Sequence, residues 1–108
     1  MDYFEASKKR VSYRGDFLDE PVPREDLRKI IQSGLEAPSG CNQQTTPFVV
    51  VDNPEVIKKI QAVPGGNKAL TGGKAYILCV VDIAPPPATG TLSFQVEDCA
   101  AATENILL

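Results

Sequence analysis

A mixed α and β fold is what this sequence predicts, on three observations. Two short runs, Phe48-Val49-Val50-Val51 and Tyr76-Ile77-Leu78-Cys79-Val80-Val81, are apolar at successive positions, as in strands covered on both faces. Leu27, Ile30, Ile31 and Leu35 recur at the spacing of one helix face. Asn53-Pro54-Glu55 opens a further helix, with Asn as its cap and Pro in its first position.

The elements follow in order. Asp2 to about Lys9 reads as a helix with Tyr3, Phe4 and Ala6 available for packing, and Val11 to Asp16 reads as extended. Pro21-Val22-Pro23 is a rigid connector. Pro23 suits the first turn of the next helix, and Glu25 and Asp26 complement the positive end of its dipole. Gly34 and Pro38 bring that helix to an end, and the Phe48–Val51 strand follows. Val56, Ile57 and Ile60 form the buried side of the short helix after Asn53. Gly65-Gly66-Asn67 and Gly72-Gly73 bracket a segment expected to be flexible. After the second strand, residues 84–91 with Pro85-Pro86-Pro87 read as a loop. A last helix is expected from near Ser93, with Val96, Cys99, Ala100, Thr103, Ile106 and Leu107 along one side.

Composition narrows the function. The 108 residues amount to one domain at most, and a net charge of −3 argues against general nucleic-acid or anionic-membrane binding. No apolar run approaches the roughly 20 residues that span a bilayer, and Met1-Asp2-Tyr3-Phe4-Glu5 lacks the order of a secretory signal. Cys41, Cys79 and Cys99 are odd in number and lack C-x-x-C spacing, which suits reduced thiols and a cytoplasmic location. With no histidine in the chain, Ser-His-Asp, Cys-His and His-ligated metal sites are excluded within it, and no other metal-ligand spacing is present. Any difficult chemistry therefore falls to a bound cofactor.

Two segments carry candidate binding groups. Ala37-Pro38-Ser39-Gly40-Cys41-Asn42-Gln43-Gln44 is a tight, polar turn before a strand, with backbone N–H groups and small side chains that can approach a flat ligand; a purely structural turn is the alternative. In Arg10-Val11-Ser12-Tyr13-Arg14, an extended backbone puts Arg10, Ser12 and Arg14 on one face, two guanidinium groups flanking a hydroxyl. That arrangement suits a phosphate, and a solvated basic stretch is the alternative. The glycine pairs do not make a phosphate loop. Lys68 stands where a Gly is needed, Ala75 where a Ser or Thr is needed, and Lys74 precedes a strand rather than a helix.

In order and spacing, Arg10-x-Ser12-x-Arg14, Pro21-Val22-Pro23, Ala37-Pro38-Ser39-Gly40-x-Asn42-x-Gln44 and the Phe48–Val51 strand together resemble the nitroreductase family of FMN-dependent oxidoreductases. The segment from Glu97 to Leu108 is similar to the first half of that family's long central helix. The resemblance implies an α+β fold, an antiparallel-rich sheet flanked by helices, in an intertwined homodimer with FMN at the interface. It implies that Arg10, Ser12 and Arg14 hold the phosphate, ribityl chain and pyrimidine edge. Pro38, Ser39, Gly40 and Asn42 then form the turn that reaches the flavin from the partner subunit. Asn67 and Lys68 match, more loosely, a polar pair near the ring. Thr45 and Thr46 replace the Pro-Trp pair of many members, which bears on substrate preference. The implied activity is ping-pong hydride transfer from NAD(P)H to nitroaromatic, quinone or similar electron-poor substrates, with no catalytic acid or base required of the protein. A non-catalytic fragment, or a small anion-binding or interaction module without flavin, remains the alternative.

The resemblance covers residues 1–108 but only part of a family domain. The last helix runs to Leu108 without Gly, Asn or a closing basic residue, and two strands are too few for a sheet. The expectation is a partial nitroreductase-like domain whose C-terminal part lies outside this chain; a short protein with a frayed last helix is the alternative. Expressed alone, the 108 residues are then expected to be poorly folded or to aggregate, and to lack reductase activity. A cooperative thermal transition from a monodisperse 108-residue sample would contradict that expectation.

Overall fold

The computed structural model describes residues 1–63, 65–81 and 93–108. The loop expected over residues 84–91 lies outside the described residues. The elements are α1 (Tyr3–Lys9), α2 (Arg24–Leu35), a 3-10 turn (Gly40–Asn42), β1 (Phe48–Val51), α3 (Pro54–Gln61), α4 (Lys68–Gly72), β2 (Tyr76–Cys79) and α5 (Gln95–Leu107). Strands β1 and β2 pair in a two-stranded sheet. Its antiparallel sense follows from the Val80 N–H, just past β2, donating to the Pro47 carbonyl, just before β1. Both strands were expected to be covered on both faces. Instead, Val49 and Val50 are exposed, as is Leu78, because two strands have too little neighbouring structure to bury both sides.

The chain forms two compact units, residues 1–27 with 50–77 and residues 28–49 with 78–108, so the division falls within α2 and within both strands. The first unit begins with α1, capped by the Asp2 side chain, which accepts from the Glu5 N–H at 2.8 Å. Tyr3 and Phe4 do not pack inward; they remain exposed and meet edge-to-face, and only Ala6 is half-buried. The segment after α1 is not a strand. Arg10 is extended, but the chain bends at Gly15, where the Tyr13 hydroxyl donates to the Asp16 carbonyl at 2.8 Å.

Ion pairs fix much of this unit. Arg24 at the start of α2 holds Asp52 after β1 through two bonds, 2.6 and 3.1 Å, a fork-to-carboxylate match. Lys74 holds Asp19 at 2.6 Å, and Lys68 holds Asp16 at 3.3 Å. The Pro23 carbonyl accepts from the Asp26 and Leu27 N–H groups, so Pro23 stands just outside the helix it was expected to enter. Asn53 caps α3 as predicted, accepting from the Glu55 and Val56 N–H groups at 2.9 and 3.3 Å. Ile57 is buried, but Val56 is exposed, a residue off the buried face. The glycine-bracketed segment is a helix rather than a flexible stretch. Asn67 caps it by accepting from the Leu70 N–H at 3.1 Å, and α4 packs on α3.

The second unit is organised by close backbone approach. Gly34 does not end α2; it is a buried helical residue where a Cβ would lie 2.9 Å from both Ile106 and Phe48 side chains. Beside it, Asn105 donates to the Ser33 carbonyl at 3.0 Å, and the Ser33 hydroxyl to the Asn105 carbonyl at 3.3 Å. Leu35, expected on the buried stripe, is exposed because that contact ends one residue earlier. Helix α5 starts at Gln95 rather than Ser93, and it buries Asp98 and Ala102. Of the apolar positions named from the sequence, Ile106 follows Ala102 on that face and meets Gly34, whereas Val96 is 73% exposed, Leu107 is 53% exposed, and Val81, Val96, Cys99, Ala100, Thr103 and Glu104 line an open groove.

The Arg24–Asp52 pair generates a pH prediction. The hydrogen bond from Arg24 holds the Asp52 carboxyl below its ordinary range. A folded value below the unfolded one means that the native state resists protonation. The pair's contribution is complete above the unfolded Asp value of about 3.9 and is lost as pH falls through the depressed one. The stability gap between wild type and Asp52→Asn should therefore be constant from neutral pH to about pH 5 and narrow below about pH 4, measured as urea midpoints. A gap that widens on acidification would contradict the assignment.

Candidate functional site

The turn before β1 is built from the Pro38-Ser39-Gly40 sequence and the helix that it meets. Cys41, Asn42 and Gln44 all have left-handed backbones, with φ of 53°, 53° and 54°. Each costs about 1–2 kcal/mol for a non-glycine residue, so the conformation must be held from outside its own preferences. Within the turn, the Asn42 N–H donates to the Ser39 carbonyl at 2.9 Å, the Gln43 N–H to the Gly40 carbonyl at 3.2 Å, and the Gln44 N–H to the Ser39 hydroxyl at 2.9 Å. A fourth bond leaves it: the Gly40 N–H donates to the Asp98 carboxylate at 2.7 Å.

Gly40 is required by packing. A Cβ there would lie 2.3–2.4 Å from the ring and Cβ of Phe94, the residue that precedes α5. Gly34, Leu35, Ala37, Pro38, Ser39, Gln44, Thr46, Asp98 and Ala102 line a small, mostly apolar cavity of about 40 Å³ behind the turn. The expectation that the turn offers its backbone N–H groups to a ligand therefore needs correction. Those of Gly40, Asn42, Gln43 and Gln44 are already used. Outward, the turn exposes Pro38 and the side chains of Cys41, Asn42, Gln43 and Gln44, with Ser39 and Gly40 half-buried.

The basic segment belongs to the first unit. Arg10 is half-buried at the C-terminal end of α1, its N–H donating to the Ala6 carbonyl at 2.9 Å; Ser12 and Arg14 are exposed. Asn67 and Lys68 lie in the same unit. Lys68 pairs with Asp16, two residues beyond Arg14, at 3.3 Å. Asn67 spends its side-chain oxygen as the α4 cap.

Sequence reasoning missed Asp98 and Phe94. The available signal was an acid four residues before Ala102, hence on the same helix face as a small residue suited to close packing. Two other groups are electrostatically distinct. The hydrogen bond and charge of Lys74 hold the Asp19 carboxyl below its ordinary range. Burial, followed by the neighbouring Cys99 side chain, pushes the Cys79 thiol up to about 11; its Sγ lies 3.8 Å from the Cys99 carbonyl oxygen. Among the described residues, no group of three His, Cys, Asp or Glu side chains could hold a metal ion. Among them, no helix is long and apolar enough to cross a membrane.

Comparison with known proteins follows the same outline. The sequence model described as Nitroreductase family matches residues 7–78, well over half of the chain. A protein of Methanothermobacter thermautotrophicus, provisionally named an NADH dehydrogenase/NAD(P)H nitroreductase, is 37% identical over 100% of this chain and 54% of its own length. A like-named Archaeoglobus fulgidus protein is 35% identical over 85% of this chain and 52% of its own length. The chain thus spans about half the length of the curated relatives it matches. A crystal structure from Desulfovibrio desulfuricans, provisionally named a nitroreductase and solved in complex with FMN, superposes with a TM-score of 0.74 at 29% identity, covering 96% of this chain and 59% of that one.

The contact at Gly40 is testable by adding one methyl group. Gly40→Ala places its Cβ against the Cβ and ring of Phe94, atoms that cannot swing clear as a flexible chain end would. It should destabilise the protein by about 1–3 kcal/mol in equilibrium urea unfolding. A change below about 0.5 kcal/mol, the range of neutral surface substitutions, would mean that the approach is looser than described.

Proposed function

Because this chain belongs to the nitroreductase family, we propose that it carries the N-terminal portion of an FMN-dependent oxidoreductase. The enzyme takes electrons from NAD(P)H and passes them to nitroaromatic, quinone or similar electron-poor acceptors in a ping-pong cycle. The observation that carries this reading is the joint presence of the Arg10-x-Ser12-x-Arg14 segment and the held turn at Pro38–Asn42. The provisional names of the archaeal relatives, which include NAD(P)H nitroreductase activity, and the FMN in the Desulfovibrio structure support it.

The residues present fit the cofactor by their chemistry. Arg10 and Arg14 offer two forked cations, and Ser12 a hydroxyl, next to a helix end in an otherwise acidic chain. A phosphate monoester is matched by such donors. The turn brings the exposed Pro38 and Asn42 together with the half-buried Ser39 and Gly40, and the Gly40 N–H is held by Asp98. When bound, FMN supplies the hydride chemistry. The chain's own part is to bind and orient. Arg10, Ser12 and Arg14 hold the phosphate and ribityl end, while Asn67 and Lys68 add polarity near the ring. Pro38, Ser39, Gly40 and Asn42 lie against the flavin of a second copy of the protein in a homodimer. No side chain of this chain is assigned a proton-transfer role. A cytoplasmic location accords with three cysteines free of disulfides.

The reading is tested by flavin titration of the protein with Arg10→Ala and Arg14→Ala. Only FMN carries the phosphate, so each substitution should weaken FMN by about 10- to 100-fold, or about 1.5–3 kcal/mol, while leaving riboflavin affinity nearly unchanged. Equal weakening of both flavins would place these arginines elsewhere. A full-length wild-type protein that stays colourless and gives no fluorescence change with FMN would remove the flavin reading altogether.

A further inference from the structure

We infer that Asp98 is a positioning residue for the flavin-facing turn, an inference that rests on the FMN reading above. Asp98 is 6% exposed, and its carboxylate accepts from the Gly40 N–H at 2.7 Å. Of the hydrogen bonds described for the turn, three close within it, and the bond to Asp98 ties it to another element. The internal bonds set the turn's shape but cannot fix where that shape sits. The backbone at Cys41, Asn42 and Gln44 is in a region that these residues disfavour, so a turn without an anchor has a lower-energy way to rearrange.

A carboxylate is suited to this task. A buried charge strengthens a hydrogen bond from a backbone amide, and burial makes the bond costly to break, because both partners would then be unpaired away from water. The anchor is also short and stiff: Asp98 is held within α5, four residues after Phe94, whose ring closes over Gly40. Two contacts thus fix the same residue, one directional and one steric. Asp98 touches no ligand in this reading. It acts through Gly40 on the placement of Pro38 and Asn42.

The location of the turn against the ring rather than the phosphate gives the inference a distinct signature. Asp98→Ala should weaken FMN and riboflavin alike, by about 10-fold or more, and shift the visible absorption band of bound flavin. Arg10→Ala, by contrast, should discriminate between the two flavins. Asp98→Asn keeps an acceptor oxygen at the same position but not the charge, and should weaken both flavins less than Asp98→Ala does. In the protein without flavin, the Gly40 amide should exchange with deuterium faster in Asp98→Ala than in wild type or Asp98→Asn. Faster exchange with unchanged affinity for both flavins would overturn the positioning role while leaving the FMN reading intact. Unchanged exchange at Gly40 would overturn the anchor itself. Failure of wild type to bind either flavin would overturn the FMN reading and this inference with it. Should Asp98→Ala not fold, Asp98→Leu takes its place as the variant without an acceptor, read by the same two measurements.

Discussion

A carboxylate almost withdrawn from water needs donors, and a turn with three left-handed residues needs an anchor. In this protein, one hydrogen bond between the Gly40 amide and Asp98 answers both needs. The geometry around it follows from that bond. Gly40 must be glycine because Phe94 lies where its Cβ would be, and Phe94 lies there because it is the residue from which α5 starts. Behind the turn a small cavity of about 40 Å³ lies between it and Asp98 and Ala102 of α5.

The two units are held by different means. In the first, charges separated widely in sequence meet: Arg24 with Asp52, Lys74 with Asp19, Lys68 with Asp16. These pairs are largely exposed, so their individual worth is modest and falls with salt. The two lysine pairs fix a stretch, residues 16–19, that has no regular secondary structure, and the Arg24 pair ties the start of α2 to the end of β1. In the second unit, fixation comes from absent side chains. Gly34 and Gly40 let other elements approach to distances that any Cβ would prevent. The first arrangement tolerates substitution on its surface; the second is intolerant at single positions.

The sequence made the elements legible wherever a local signal existed. The Asn53-Pro54-Glu55 start, the helical stripe from Leu27 and the two strands all appear where pattern and capping chemistry put them. Asn67 was read as part of a flexible break because the glycines around it dominate the local signal, yet its side chain caps a short helix. Gly34 was read as a stop because a glycine late in a helix commonly is one. Its actual role depends on Ile106, 72 residues away, and no local pattern carries that information. The same holds at the candidate site. The turn could be recognised from Pro38, Ser39 and Gly40, but the consumption of its N–H groups by its own backbone and by Asp98 could not, since that is a property of the folded geometry. The faces of α5 were assigned by hydropathy alone, which excluded Asp98, the most deeply buried polar residue among those described.

Cys79 has a consequence of a different kind. A thiol pushed up to about 11 is almost wholly protonated at neutral pH, with roughly one molecule in ten thousand carrying the thiolate. Quinones and partly reduced nitro compounds add to thiolates far faster than to thiols. Quinones, among the acceptors proposed above, are thus themselves thiol-reactive electrophiles. Half-burial of Cys79 beside Cys99 leaves that sulfur a poor target for self-inactivation, without any need to replace it by another residue.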